Sequence, residues 1–279
     1  MTGKQKAAND QCRMLRLANW FGIFGGARPM INEKIERLPK RIVDGFRRLL
    51  KYDSVTCAIS DCMGRFNAMT SDMKPLYDGI RIVGTAVTVK TLASDLAAPF
   101  KAIDLSQPGD IIVIDSHGSI STAFWGENMT MSAMNRGVVA AVIDGACRDV
   151  EEIRKIKFPV ICKGFVPNVG SISGYGHVNV TVQCGGVAVA PGDILVVDGN
   201  GVVVVPKGDA ADILEKSHHL LKTEHIVQEK IKGGATIGEL INVDEVFNSV
   251  FSYQNRAVEK NTGKGKLTPA ASRKMAAHR

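Results

Sequence analysis

Aromatic residues make up only 6% of this chain, and no apolar run approaches the roughly 18 residues that a membrane-crossing helix needs. The second absence excludes a helical membrane protein. The first, beside 28 glycines and plentiful valine, suits an α/β protein of tight turns and buried strands. Metal-knuckle spacings are missing as well: Cys12, Cys57, Cys62, Cys147, Cys162 and Cys184 are scattered without a CxxC or CxxH pair. A zinc site is therefore not expected, and reduced, buried thiols point to the cytosol. There is no Walker loop, no GxSxG elbow, no HExxH, and no GxGxxG between a strand and a helix. NTP-phosphate, serine-hydrolase, zincin and hydride-transfer chemistries thus have no local signature.

A net excess of positive charge is also missing outside one segment. The formal net charge of the 279 residues is +7, but Asn255 to Arg279 holds seven Lys/Arg against one Glu, so the rest is close to neutral. That tail, residues 251–279, is expected to be solvated and disordered. It has no interleaved aromatics, so nucleic acid is not an expected partner. The first 30 residues form a basic extension without a clear apolar core or cleavage site, which speaks against a secretory leader.

Between these ends, residues 31–250 read as a single α/β domain. "NEKIERLPKRIVDGFRRLLKY" predicts a helical N-terminal lead-in from Asn32, interrupted at Pro39. "GIRIVGTAVTVKTL" alternates as a long strand, and "SDLAAPFKAIDL" reads as a helix capped by Ser94 or Asp95. "QPGDIIVIDSHG" reads as a turn, a buried strand and an exit loop after Asp115, and from Asp110 to Lys163 strands and helices alternate, which implies a parallel or mixed sheet with crossover helices. The segment from His177 to Pro206 is almost all β, and Asp209 to Lys232 is a long helix closed by Gly233-Gly234. On it His218, His219 and His225 lack the partners that a metal site requires.

Two strand-to-helix junctions hold the residues that could do chemistry. In "VVAAVIDGACRDVEEI" a buried strand ends on Arg148 and Asp149 at the opening of a helix. Ligands of open α/β sheets gather at such strand ends, and free helix amides favour anions. Arg148 offers a fork for a carboxylate, and Asp149 could bind a divalent cation directly or through water. An ordinary surface arginine beside helix-start carboxylates fits this segment equally well. In "AFWGENMTMSAM", 21 positions earlier, Gly126 permits close backbone approach, the Asn128 and Met129 amides form an anion-receptive turn, and Glu127 adds a carboxylate. Together the junctions suit a small oxo-acid and a hard metal; for Glu127 a plain helix-start role stays open.

With "GTAVTVK", "QPGDIIVID", "WGE", "RGVVAAVIDGACRDVEEI", "FPVICKG" and the β-rich run to Pro206, the chain resembles the RraA-like family over about Val55 to Gly234. That family includes the class II 4-hydroxy-4-methyl-2-oxoglutarate / 4-carboxy-4-hydroxy-2-oxoadipate aldolases. The resemblance implies a swivelling β/β/α domain with mixed sheets, assembled as a homotrimer or homohexamer with active sites between subunits. It further implies Mg²⁺ or Mn²⁺, a small 2-oxo acid substrate, pyruvate release and oxaloacetate decarboxylase activity. By motif, Arg148 would hold the substrate carboxylate with Gly126, Asn128 and Met129, Asp149 would organise the metal, and Glu127 would support its water shell. Glu224, or alternatively Glu229, would reach in from a neighbour; Gln228 stands where many relatives carry Arg, which loosens the alignment there. Other relatives are non-catalytic regulators that bind ribonuclease E or an RNA helicase. Such members tend to lose the aspartate that follows the arginine, and here it is intact.

Overall fold

The computed structural model describes residues 30–249 apart from Ala93. The basic extension up to residue 29 and the tail beyond 250 lie outside the described residues. Contacts divide the chain into two compact units, Met1–His219 and Leu220–Arg279, and each is described by itself.

The first unit is built on one mixed sheet. Its strands are β1 (Lys74–Pro75), β2 (Ile82–Lys90), β3 (Asp110–Ala123), β4 (Ala140–Cys147), β5 (Val160–Phe165), β9 (Ile194–Asp198) and β10 (Gly201–Val205), with β6 (His177–Val178) against the end of β2. Their spatial order is β1-β5-β4-β3-β2-β9-β10. The strands β2 to β5 are parallel, and β1, β9 and β10 run antiparallel to their neighbours. The hairpin β7 (Val182–Cys184) with β8 (Val187–Val189) forms a separate small sheet.

Parallel strands need covered faces, and both are covered. On one face lie the crossover helices α3 (Ala97–Leu105), α4 (Glu127–Asn135) and α5 (Val150–Ile156), which add Ala102, Ala133 and Ile153 to a core with Ile112, Ile143 and Trp125. On the other, Val113, Val142 and Ile161 pack with hairpin residues such as Val182 and Val189. Every residue of β4 is buried. Truncating a wholly buried side chain such as Ile143 to Ala is expected to cost roughly 2–5 kcal/mol.

Three local expectations need correction. The lead-in is not helical from Asn32: α1 spans Lys40–Leu49, with Pro39 at its N-cap. Proline is tolerated at a helix start but not inside, because its ring clashes with the preceding turn. The residues before it are fixed by side chains instead, as the Arg37 guanidinium grips buried Asp110 with Nη1–Oδ1 2.5 Å and Nη2–Oδ2 2.8 Å. Second, α3 begins after Leu96, so neither Ser94 nor Asp95 is its N-cap residue. Asp95 is buried, and its Oδ2 accepts the amides of Ser173 and Tyr175 across the fold. Third, β3 does not exit at Asp115 but continues to Ala123 through two register shifts against β4. The helix α2 spans Val55–Cys62, and α6 (Ala210–Lys232) covers the long C-terminal helix. The second unit holds the last part of α6 and the short α7 (Ile237–Leu240), capped at its N-terminus by a Thr236–Glu239 capping box. No helix among the described residues is long and apolar enough to cross a membrane.

Candidate active site

Because β3 and β4 are parallel neighbours, the turns that follow them open side by side. The first turn runs from Trp125 through Gly126 into α4, and the second runs from Cys147 through Arg148 and Asp149 into α5. One backbone bond joins them, as the Arg148 amide donates to the Trp125 carbonyl at 3.0 Å. Trp125 is itself pinned: its ring stacks on Phe158 with centroids 6.1 Å apart, and its Nε1 donates to Thr130 Oγ1 at 2.8 Å. The Thr130 hydroxyl in turn donates to the Gly126 carbonyl at 3.1 Å. The junction therefore stands on a rigid, buried base.

Asp149 is the N-cap residue of α5 but does not cap it with its side chain. Its carboxylate turns to the other helix, where Oδ2 accepts the amide of Glu127, the first residue of α4, at 3.0 Å. That places a negative charge on the positive end of α4 and satisfies one otherwise orphaned donor. The turn requires Asp149 to sit at φ 56°, ψ 40°. This left-handed region is uncommon for a residue with a side chain, and such strain concentrates at functional sites.

Gly126 is required by the same contact. A Cβ there would stand 2.5 Å from Asp149 Oδ2 and 3.3 Å from Arg148 Cγ, so any side chain would push both away. Arg148 Nε lies 3.6 Å from Asp149 Oδ2, beyond hydrogen-bond reach, and the two side chains are 35% and 36% exposed. Among the described residues no hydrogen bond ties down the Arg148 fork, which leaves it able to take a carboxylate in two-point fashion. Glu127, whose amide meets Asp149, is half-buried. Asn128 is exposed, whereas the Met129 side chain is buried in the core, so Met129 can act only through its backbone. The first intrahelical bond of α4 runs from Thr130 N to Gly126 O, at 3.0 Å. The amides of Asn128 and Met129 precede it and face outward from the first turn.

The structure thus brings Gly126, Glu127, Asn128, Met129, Arg148 and Asp149 together within the first unit. Glu224 lies in the second unit, half-buried on α6. Glu229, also on α6, is exposed and paired with Lys232 at 2.8 Å, which holds its carboxyl below the usual range.

Among the described residues no three His, Cys, Asp or Glu side chains converge as a metal cage. The donor set is one carboxylate, Asp149, with a second nearby. It fits a hard cation that keeps most of its water, as Mg²⁺ does, and not a four-coordinate soft-ligand site.

Sequence reasoning passed over a second charged cluster on the opposite face of the sheet. Asp144, only 2% exposed, pairs with Lys163 Nζ at 2.5 Å, and Asp72 lies 3.6 Å from the same nitrogen. Asp144 Oδ2 also accepts the Gly185 amide at 3.1 Å, while Asp115 accepts the amides of His117 and Gln183. These bonds latch the β7–β8 hairpin to the sheet. Hydrogen bonding to Asp144 holds the Lys163 ammonium above its ordinary pKa. The signal was present in the sequence: an aspartate ends each of the apolar runs "IIVID" and "AAVID", and a buried carboxylate must find donors.

Comparison with known proteins bears on the family and the fold. The sequence profile of the RraA-like family, described as Aldolase/RraA, matches residues 56–204, more than half of the chain. A Halalkalibacterium halodurans protein, provisionally named a 4-hydroxy-4-methyl-2-oxoglutarate aldolase, is 38% identical over 162 residues, covering 58% of this chain and 77% of that protein. A 4-hydroxy-4-methyl-2-oxoglutarate aldolase of Thermus thermophilus is 28% identical over 152 residues, covering 54% of this chain and 92% of its own. Among solved structures, Streptomyces coelicolor RraAS2, described as an unusual member of the RNase ES inhibitor RraA protein family, is similar with a TM-score of 0.62 and 26% identity. That likeness covers 70% of this chain and all of the other.

Proposed function

Since the chain belongs to the RraA-like family, we propose that it is a divalent-metal-dependent aldolase, cleaving a 4-hydroxy-2-oxo acid with two or three carboxylates to release pyruvate. The observation that carries this reading is the joined pair of turns, in which Asp149 bridges to α4 and Arg148 stands beside it over a glycine.

In this reading Arg148 takes the substrate's C1 carboxylate through its fork, and the Asn128 and Met129 amides hold the oxo-acid end against the first turn of α4. Asp149 would hold Mg²⁺ or Mn²⁺, with Glu127 in its water shell. Such a cation supplies Lewis acidity toward the 2-oxo group. The C3–C4 bond breaks as the 4-hydroxyl loses its proton, leaving pyruvate as its enolate and an oxo product; protonation at C3 completes the release. Glu127, or Glu224 lent by a neighbouring subunit of a homotrimer or homohexamer, receives and returns that proton. Oxaloacetate loses CO₂ through the same enolate, so one site serves both reactions.

The alternative reading, a non-catalytic regulator of RNA processing, draws on the likeness to RraAS2. Pyruvate release separates the two. The purified protein is expected to release pyruvate from 4-hydroxy-2-oxo acids and from oxaloacetate with Mg²⁺ or Mn²⁺, and to stop when EDTA is in excess. No pyruvate from a broad substrate panel, with tight binding of a ribonuclease E fragment, would establish the regulator instead.

A further inference from the structure

Beneath Arg148, on the sheet face that carries α3, α4 and α5, two thiols meet that the proposed reaction does not use. Cys147 ends β4 and Cys162 lies in β5; they are 0% and 2% exposed, with their sulfurs 3.5 Å apart. Strand register alone does not oppose them. Cys162 faces Ile143 and Cys147 faces Phe165, and a ladder irregularity between Ile143 and Ala146 brings the two side chains to one spot. A disulfide at its ordinary length of about 2.05 Å would need the sulfurs to approach by about 1.5 Å.

We propose that Cys147 and Cys162 form an oxidative modification site, a dithiol that a hydroperoxide closes to a disulfide and that thereby disables the site above it. One sulfur attacks the peroxide, the O–O bond breaks, and a sulfenic acid forms as water or an alcohol leaves. The other sulfur then attacks the sulfenic sulfur, the S–S bond forms, the S–O bond breaks, and a second water leaves. Two electrons pass from the sulfurs to the hydroperoxide, and both thiol protons end in the products.

Access comes from what covers the pair. Helix α5 has only seven residues, with Ile153 buried and Val150 and Ile156 half-buried against the core, and is bounded by left-handed residues at both ends, Asp149 and Lys157. A two-turn surface helix opens locally more readily than the buried strands beneath it. The consequence follows from connectivity. Cys147 is bonded directly to Arg148, whose amide is held by Trp125. Drawing the Cys147 sulfur toward β5 moves the strand end on which Arg148 and Asp149 ride. A displacement of about 1 Å at a reacting centre costs about 100-fold in rate.

The loss of activity rests on the aldolase reading; closure of the dithiol does not. The protein is treated with hydrogen peroxide, blocked with an alkylating agent and mapped by mass spectrometry. A linked peptide containing Cys147 and Cys162 is expected, with pyruvate release lowered at least tenfold and restored by a thiol reductant. Cys184, which packs in the core on the opposite face of the sheet and not with this pair, should stay reduced. Cys162→Ser and Cys162→Ala should each keep their turnover through the same exposure. Absence of the linked peptide while exposed Cys57 is oxidised overturns the proposal, and so does a fully linked protein with undiminished turnover. If the reduced protein releases no pyruvate, the aldolase reading is what fails, and the linked peptide alone then decides whether this site exists.

Discussion

Asp149→Asn separates the two jobs that the structure gives this residue. Asparagine keeps the size and an acceptor oxygen for the Glu127 amide, which Asp149 Oδ2 meets at 3.0 Å. It also tolerates the left-handed backbone at φ 56°. What it removes is the charge. Losing a helix cap altogether, as in Asp149→Ala, costs about 1 kcal/mol, or about 2–4 °C of melting temperature in a domain of this size. Asp149→Asn should therefore melt close to the wild type, and Asp149→Ala a few degrees below it. Activity should order differently. If Asp149 is the one charged protein ligand of the cation, both variants lose it, and with it several kcal/mol of stabilisation of the enolate charge. At about 1.4 kcal/mol per tenfold, the loss in kcat/KM is on the order of 1000-fold for both. Pyruvate release, followed by a coupled reduction to lactate, and thermal melts on the same preparations read the two effects apart. Asp149→Asn turning over near the wild-type rate at saturating Mg²⁺ would refute the metal role. An Asn variant that melts as low as the Ala variant would instead show that the charge itself, not the hydrogen bond, holds the two turns together.

Two further outcomes are expected. Arg148→Ala and Glu224→Ala should each be nearly inactive, yet regain activity when unfolded and refolded together, with roughly a quarter of sites whole under random assembly of a shared-site oligomer; mixed oligomers without recovery would remove Glu224 from a neighbour's site. At the latch, the Lys163 pKa is raised in the folded state, so the pair's contribution is complete below the ordinary lysine value of about 10.4 and is lost as pH rises through the folded value. Thermal melts of the wild type and Lys163→Met should therefore differ by a constant gap up to about pH 10 that narrows above it, and a gap that persists to the alkaline limit of folding would show that Lys163 stabilises by packing alone.

What the amino-acid sequence determined by itself is whatever depends on near neighbours. Periodicity and turn residues marked the alternation from Asp110 to Lys163, the β-rich run to Pro206 and the long helix α6, because these signals span a few residues. They also placed Gly126–Glu127 and Arg148–Asp149 at strand ends, where a mixed α/β sheet presents its turns. Tertiary structure alone decided which distant groups meet. Nothing local says that the Asp149 carboxylate caps α4 and not its own helix, since that depends on β3 and β4 lying side by side. Nor does local pattern show that Asp95 serves the chain around Ser173, or that the residues before Pro39 are held by Arg37 on Asp110. The approach of Cys147 to Cys162 needed a register shift between two strands. Hydrophobic patterning selects a face for each element, but partners on one face are chosen only when the elements pack, by shape and by the need of each buried polar group for a counterpart.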